Sequence, residues 1–230
     1  MTPPAGLPQA LGVAALVTAI ATACSYLLPE GWAAQGVGLT FLGATYWLVV
    51  RGDDNARIRE HGLSLGGLVE IAPLSWPRIA KETSRALAYA VGAALLIYPF
   101  FWFGFRSWWN VDHFEPAPLR PLLSDAGGQL LMIALPEEAF YRGYLQTTLE
   151  RELDKSTTIF GTRIGWGIVL TSAIFAVGHL LTELNPARLA VFFPSLVFGI
   201  LRARTGGIGA SVLFHAMCNL FSAYLIRSYL

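Results

Sequence analysis

Charged residues are scarce in this sequence, and their scarcity excludes most kinds of soluble protein. Only 13% of the 230 residues are Asp, Glu, Lys or Arg, whereas 54% are hydrophobic. A soluble domain usually carries about 25% charged residues, so most of the chain is expected to lie in a bilayer. The formal net charge is +1 and no basic stripe is present, which excludes nucleic acid as a partner.

Cysteine is also scarce. The chain has only two cysteines, Cys24 and Cys218, and both fall in apolar segments. A disulfide framework or a cysteine-based metal site is therefore not expected. The HExxH pattern of zinc proteases and internal repeats are missing as well.

Long apolar runs predict an all-α membrane protein, a polytopic bundle of about seven transmembrane helices. The first run lies near the N-terminus but lacks a basic flank, so we expect a retained helix rather than a signal peptide. Within the polar stretch 51–85, an apolar part is expected to lie on the membrane interface. The predicted spans are 8–28, 31–50, 86–105, 126–149, 164–181, 189–201 and 208–226.

Basic residues separate by side along this predicted topology. Because cytoplasmic loops carry the excess of Lys and Arg, the asymmetry predicts a cytoplasmic N-terminus and an external C-terminus. Segments 106–124 and 150–163 are expected to be loops, and 202–207 a tight basic turn. One side holds Arg51, Arg57, Arg59, Arg78, Lys81, Arg85, Arg151, Lys155, Arg163, Arg202 and Arg204, and the other holds Arg106, Arg120, Arg188 and Arg227.

Two adjacent carboxylates, Glu137 and Glu138, lie within a predicted transmembrane helix together with Arg142. Ionisable groups in hydrocarbon are energetically costly and are therefore functional candidates. Glu138 lies four residues before Arg142 and can pair with it on one helical face. Glu137 points roughly 100° around the helix and has no cation on its own helix. We therefore expect Glu138 to be structural and Glu137 to be available for proton transfer.

Three further polar side chains, His179, His215 and Asn219, fall on other predicted helices. His215 and Asn219 are four residues apart and share a face, while Phe175, four residues before His179, can pack on its imidazole. A carboxylate and a histidine can hold and deprotonate a water, and a histidine with an asparagine can donate to an oxyanion. These groups suit the hydrolysis of a peptide bond, although Asn219 could instead join two helices.

The order and spacing of these residues resemble a known family. The chain is similar to the CAAX prenyl protease 2 (Rce1-like) family, which belongs to the CPBP group of intramembrane endopeptidases. The run Phe198-Gly-Ile-Leu-Arg-Ala-Arg-Thr-Gly206 is similar to that family too. The three motifs are Glu137-Glu138-x-x-x-Arg142, Phe175-x-x-x-His179 and His215-x-x-x-Asn219.

The resemblance implies a division of roles and of the chain. Residues 1–110 would be N-terminal transmembrane helices with the polar, partly interfacial loop 51–85, and 111–230 would be the Rce1-like catalytic core. By resemblance, Glu137 and His179 activate the water, His215 and Asn219 stabilise the oxyanion, and Glu138, Arg142 and Phe175 support the site.

We therefore expect an intramembrane endopeptidase that acts on a membrane-associated protein or peptide, in the bacterial cytoplasmic membrane. Two other functions stay open, a catalytically inactive scaffold that binds a membrane partner and a proton-coupled transporter that uses Glu137 and His179 as a relay. The full set of buried polar residues argues against the scaffold. The lack of paired half-repeats argues against the transporter.

No cofactor or metal is expected, although Glu137, His179 and His215 could supply a zinc site with an open position. The two histidines lack the helical spacing that usually anchors zinc in proteases. Asn219 is a poor zinc ligand but a good donor to an oxyanion, and the resembling family is best explained by glutamate-type hydrolysis. Outside the site, His61 is expected to be a solvated loop residue.

Overall fold

The structure, a computed structural model, describes residues 6–230 and is almost entirely helical in that range. Its helices are α1 (Leu7–Leu27), α2 (Glu30–Thr45), α3 (Asn55–Glu60), α4 (Trp76–Trp109), α5 (Leu119–Gly128), α6 (Leu135–Glu138), α7 (Thr147–Leu153), α8 (Trp166–Thr182), α9 (Phe192–Thr205) and α10 (Gly209–Tyr229). Strands β1 (Ser156–Ile159) and β2 (Thr162–Gly165) form a hairpin. π-helical segments are Tyr46–Val50, Gln129–Ala134 and Ala139–Gln146, and 3₁₀ segments are Leu65–Gly67 and Pro186–Val191.

Helices of membrane-spanning length confirm the predicted all-α membrane fold, for which seven spans is an approximate number. Five helical segments are long and apolar enough to cross a bilayer: Leu7–Leu27, Glu30–Val50, Trp76–Trp109, Pro186–Thr205 and Gly209–Tyr229. The predicted span 126–149 falls within the continuous helical run 119–153, which carries three buried charged residues. The predicted span 164–181 falls on α8. α8 has 17 residues, slightly fewer than the roughly 20 that a span needs.

Several predicted boundaries are wrong because prolines start helices rather than ending them. α4 has Pro77 in its first turn and begins at Trp76, so 76–85 belongs to this helix and not to the polar loop. The predicted loop 106–124 is likewise shorter, since α5 begins directly after Pro118. Arg202 and Arg204 lie in α9 rather than in a turn, because the helix continues until Gly206, whose φ of 76° suits a helix end.

The hairpin within the predicted loop 150–163 was not expected. Ser156 pairs with Gly165 and Ile159 with Thr162 in antiparallel register. The two turn residues, Phe160 and Gly161, both have positive φ (47° and 72°), as a tight type I′ turn requires. Phe is an uncommon residue in the first of these positions, so the sequence gives little sign of this turn.

Small side chains let the site-bearing run 119–153 lie against the first two helices. On α1, Ala10, Ala14 and Ala21 are buried in the core cluster that includes Phe140 and Leu145. Small residues at such an interface allow close backbone approach in membranes. A second cluster lies around α4, α9 and α10, where Ala86, Ala90 and Ala94 pack with Phe198, Leu201, Ala210 and Phe214.

The connecting segments, together with the helix ends next to them, lie at two opposite ends of the bundle. At the first, here named the basic end (51–75, 154–165 and 206–208), Ile208 N donates to Gly62 O over 3.0 Å, and Arg202 donates to Glu60 O over 2.8 Å. At the second, the aromatic end (28–29, 106–118, 183–191 and 226–230), Ser228 O accepts from Glu115 N over 2.9 Å. The two sets of loops predicted on opposite sides are therefore grouped as expected.

The polar loop at the basic end is folded around a buried carboxylate. The Glu70 side chain has no exposed area and contacts Arg59 over 2.5 Å and Arg78 over 2.6 Å, while Ser64 donates a hydrogen bond to it. These hydrogen bonds hold the pKa of Glu70 well below its usual range. The prediction for His61 is wrong, since this side chain is buried in the loop and its desolvation lowers its pKa.

Candidate active site

A proline sets the path of the helix that carries the two glutamates. Pro136 has no N–H to donate to the carbonyl of Met132, four residues earlier. The preceding turn is π-helical, with Leu135 N donating to Leu130 O, five residues back. Helix α2 passes close to this place because it has Gly38, where a Cβ would lie only 2.6 Å from Met132 O. Glu137 and Glu138 follow directly and are both buried.

Glu137 faces both histidines that the sequence singled out. Its Oε2 atom lies 3.9 Å from Nε2 of His179 and 3.8 Å from Nε2 of His215. Both distances exceed the range of a direct hydrogen bond, and among residues 6–230 no protein group bonds to this oxygen. Polar atoms at such spacing can be bridged by one shared water. Three helices thus bring these side chains to a single point.

Glu138 joins Arg142 to His215. Its Oε1 atom lies 3.1 Å from Nη1 of Arg142 and 2.9 Å from Nδ1 of His215. The predicted ion pair is therefore present, and both of its side chains are fully buried. The sequence did not predict that the same carboxylate also holds a histidine, because helical spacing relates only residues of one helix.

Arg142 is enclosed by groups from two other helices. Its Nη2 atom donates to Ser195 Oγ over 2.6 Å and to Ser195 O over 3.0 Å. The guanidinium lies 4.7 Å from the ring centre of Phe175 and 5.1 Å from that of Phe198, distances at which an aromatic face attracts a cation. Ser195 was missed by the sequence analysis, since a lone serine in an apolar run belongs to no motif.

Aromatic rings and backbone groups fix the two imidazoles. Phe175 packs on His179 with ring centres 4.3 Å apart, as its spacing predicted, and its carbonyl oxygen lies 3.1 Å from Nδ1 of His179. Phe198 stacks on His215 at 4.8 Å with nearly parallel planes. A carbonyl or carboxylate oxygen only accepts, so in each neutral histidine Nδ1 carries the proton and Nε2 has the lone pair.

Asn219 lies beside this group and is held by a residue that the sequence analysis missed. Its Nδ2 atom donates to Oε1 of Gln129 over 3.0 Å, and both side chains line the same cavity as Glu137. An amide nitrogen has two N–H groups, so one donor of Asn219 is left to point at a ligand. Gln129 had no recognisable spacing to Glu137 because a π-helical segment separates them.

A cavity of about 1260 Å³ has these polar groups on its wall. Away from them it is lined mainly by apolar and aromatic side chains of α1, α2, α4, α9 and α10, such as Val37, Phe101 and Phe221. A concave, mostly apolar space with a few converging polar groups is the usual form of a binding site. Its size suits a peptide segment rather than a single ion.

A zinc site is the alternative to a water held by protein groups alone. It would use Glu137, His179 and His215, each within roughly 2.0–2.2 Å of the metal. Among the described residues 6–230, no group of three His, Cys, Asp or Glu side chains is arranged to hold a metal ion. Asn219, the other polar group at this place, is bonded to Gln129.

The residues that form this site lie within a segment that matches a known family. A family model described as type II CAAX prenyl endopeptidase Rce1-like matches residues 120–221, a little under half of the chain. The chain carries an Rce1-like domain. The resemblance inferred from the three motifs is thereby confirmed, and the domain includes every residue assigned to the site. No curated protein and no solved structure matches the chain.

The match of residues 120–221 to this family model supports a membrane protease role of the CAAX type. Together with five apolar helices of sufficient length, it identifies an integral membrane protein of the hydrolase class. The domain contributes α8, α10 and the run with both glutamates, while α1, α2 and α4 lie outside it and form much of the cavity wall.

Proposed function

We propose that this protein is a glutamic-type intramembrane endopeptidase, which cuts a peptide bond of a membrane-associated protein with a water activated by Glu137 and His179. The observation that carries the proposal is the convergence of Glu137 Oε2 and the two histidine Nε2 atoms, 3.8–3.9 Å apart, on the wall of a large cavity. A water among these atoms can donate to two acceptors at once. We place the enzyme in the bacterial cytoplasmic membrane.

The hydrogen bonds around the site suggest how protons move. In the neutral histidines both Nε2 atoms accept, so a water between them and Glu137 is held as a donor and is ready to lose a proton. As its oxygen bonds to the substrate carbonyl carbon, one proton passes to Glu137 or to a histidine. That proton then goes to the amide nitrogen, the C–N bond breaks, and the products are a carboxyl group and an amine.

The developing oxyanion has two donors within the site. The free N–H of Asn219 is one, and it is positioned by the bond from the other N–H to Gln129. His215 is the second, but only after its Nε2 has taken up a proton, because Nδ1 is engaged with Glu138. No step of this scheme needs a metal or cofactor.

The test compares membrane proteomes of a strain without the gene and strains that carry it back as wild type or Glu137→Gln. Proteins that keep an uncut terminus in the deletion strain should be cut again by wild type, and should stay uncut with Glu137→Gln. Glu152→Gln, which changes an exposed carboxylate, is the matched control and should restore cutting.

The outcomes also separate the other two functions. Restored processing by Glu137→Gln would contradict the proposed role of that residue. Processing that depends on the protein but not on any site residue would favour a scaffold. A proton-driven transport activity that Glu137→Gln abolishes, with no change in any terminus, would favour the transporter.

A further inference from the structure

Within residues 6–230, the cavity extends towards one end of the bundle. From the wall that carries Glu137 it extends past Ser25 near the end of α1, Ala33 near the start of α2 and Trp109 at the end of α4. Arg188, between α8 and α9, lies on the same rim. Trp109 and Arg188 belong to the aromatic end, and Ser25 and Ala33 lie a few residues from it in the chain. In the described part of the chain, the lining residues fall in 18–41, 97–109, 129–141, 175–198 and 215–226, and none of them lies in 51–75, 154–165 or 206–208.

The basic end carries most of the positive charge. It holds or adjoins eleven of the basic residues, whereas the aromatic end has four, and only Arg142 belongs to neither. The rule that orients membrane proteins counts Lys and Arg near the helix ends and gives little weight to acidic residues. The ion pairs of Glu70 therefore do not weaken the asymmetry, and the basic end is assigned to the cytoplasm.

We infer that the active-site cavity opens on the extracytoplasmic side of the membrane, and that its substrate is a membrane-anchored polypeptide whose cut segment lies on that side. The part of this inference that concerns cutting rests on the proposed function. Trp108 and Trp109 at the rim are 71% and 48% exposed, as expected of aromatic residues at the headgroup level. A peptide attached to the cytoplasmic face would have to cross the bilayer to reach Glu137.

The depth of the site limits where the substrate is cut. On α10 the cavity runs from His215 to Ile226, eleven residues that correspond to about 16 Å at 1.5 Å per residue. An extended peptide advances about 3.3 Å per residue, so roughly five residues separate the rim from the reacting bond. The cut segment is therefore expected to be extended, with the reacting bond about halfway through the hydrocarbon core, which is ~30 Å thick.

Single cysteines test the sidedness without relying on turnover. Cys24→Ser and Cys218→Ala first remove the two native thiols. Three exposed positions then carry a single reporter cysteine each: Ala190→Cys on the rim, Asp112→Cys at the same end and Thr158→Cys on the hairpin. With a membrane-impermeant maleimide, Ala190→Cys and Asp112→Cys should be labelled in intact cells. Thr158→Cys should be labelled only in inverted vesicles.

The reverse pattern, or labelling of both ends from one side, would overturn the inference. Asp112→Cys reports the side even where Ala190→Cys reacts slowly.

A second experiment distinguishes the sidedness of the cavity from the proposed proteolytic function. Labelling is repeated in the Glu137→Gln background, where sidedness should be unchanged although cutting is lost. With Glu137 present, external labelling of Ala190→Cys should slow processing of the substrates found by proteomics, while labelling of Thr158→Cys should not. If labelling follows the expected sides but no substrate is ever cut, the proposed function fails and the sidedness stands.

Discussion

Nδ1 of His215 donates a hydrogen bond to Oε1 of Glu138 over 2.9 Å, so the second glutamate of the motif acts on a histidine from another helix. This contact fixes the tautomer of His215 and directs its Nε2 atom towards Glu137. The same carboxylate pairs with Arg142. One buried side chain therefore connects the ion pair within its helix to the group proposed to bind the oxyanion.

Replacing Glu138 should damage both stability and activity. Glu138→Gln leaves the guanidinium of Arg142 buried without a charged partner, which typically costs about 3–5 kcal/mol. We expect a lower melting temperature in detergent and lower yield, in addition to slow turnover. Glu30→Gln, which changes an exposed glutamate at the start of α2, is the control. An unchanged melting temperature for Glu138→Gln would contradict the role assigned to the ion pair.

Replacing Glu137 should affect turnover alone. Glu137→Gln keeps the shape of the side chain but removes the proposed base, which usually lowers a rate by about 10²–10⁴. The melting temperature should stay close to that of wild type, since Oε2 of Glu137 bonds to no protein group within residues 6–230. The measurement is cutting of a verified substrate in liposomes, and equal rates for the two proteins would remove Glu137 from the mechanism.

Gln129 should act by positioning Asn219. Gln129→Leu removes the acceptor for Nδ2 and should lower kcat with little change in KM, because the oxyanion exists only in the transition state. The loss should be smaller than the about 10²–10³-fold seen when an oxyanion donor itself is removed. Gln129→Glu, which keeps an acceptor oxygen, should retain more activity than Gln129→Leu. An equal fall in both variants would indicate a purely structural role.

The loop around Glu70 should lose stability in acid. A carboxylate whose pKa is lower in the folded state contributes stability above its unfolded value, and this contribution is lost as the pH falls. For Glu70 the loss should therefore begin below the ordinary carboxylate value of about 4.3. Protease cleavage within 51–75 should increase there in wild type. In Glu70→Gln it should be high at neutral pH already and change little on acidification.

Chelation tests the chemistry of the site. In the proposed mechanism the water is held by Glu137, His179 and His215 without a metal, so purified enzyme should keep its activity after treatment with a strong, membrane-compatible chelator. Elemental analysis should find no stoichiometric zinc. Activity that is lost on chelation and restored by added zinc alone would instead make the same three side chains ligands.

The sequence predicted contacts within one helix better than contacts between helices. The pair Glu138–Arg142 and the packing of Phe175 on His179 follow from a spacing of four residues, and both are present. The bonds from His215 to Glu138 and from Asn219 to Gln129 join different helices. Periodicity carries no information on such bonds, so these were not foreseen.

Several predicted helix boundaries are wrong for a related reason. The predicted polar loop 51–85 and loop 106–124 contain Pro77 and Pro118, which lie at the starts of α4 and α5, a position that suits proline. The folded loop around Glu70 was likewise hidden, because Arg59 and Arg78 come from either side of it in the chain. In a polar stretch, charged residues alone do not distinguish a solvated segment from a buried cluster.

The wall of the cavity is formed by helices inside and outside the matched domain. α8, α10 and the run with both glutamates carry every motif, yet α1, α2 and α4 supply Ser25, Val37 and the aromatic face up to Trp109. These three helices lie outside the matched domain. We therefore expect these three helices to contribute to the choice of peptide, while the motif residues carry out the hydrolysis. Exchanging the first 110 residues between relatives should change which peptide is accepted while leaving the hydrolytic step intact.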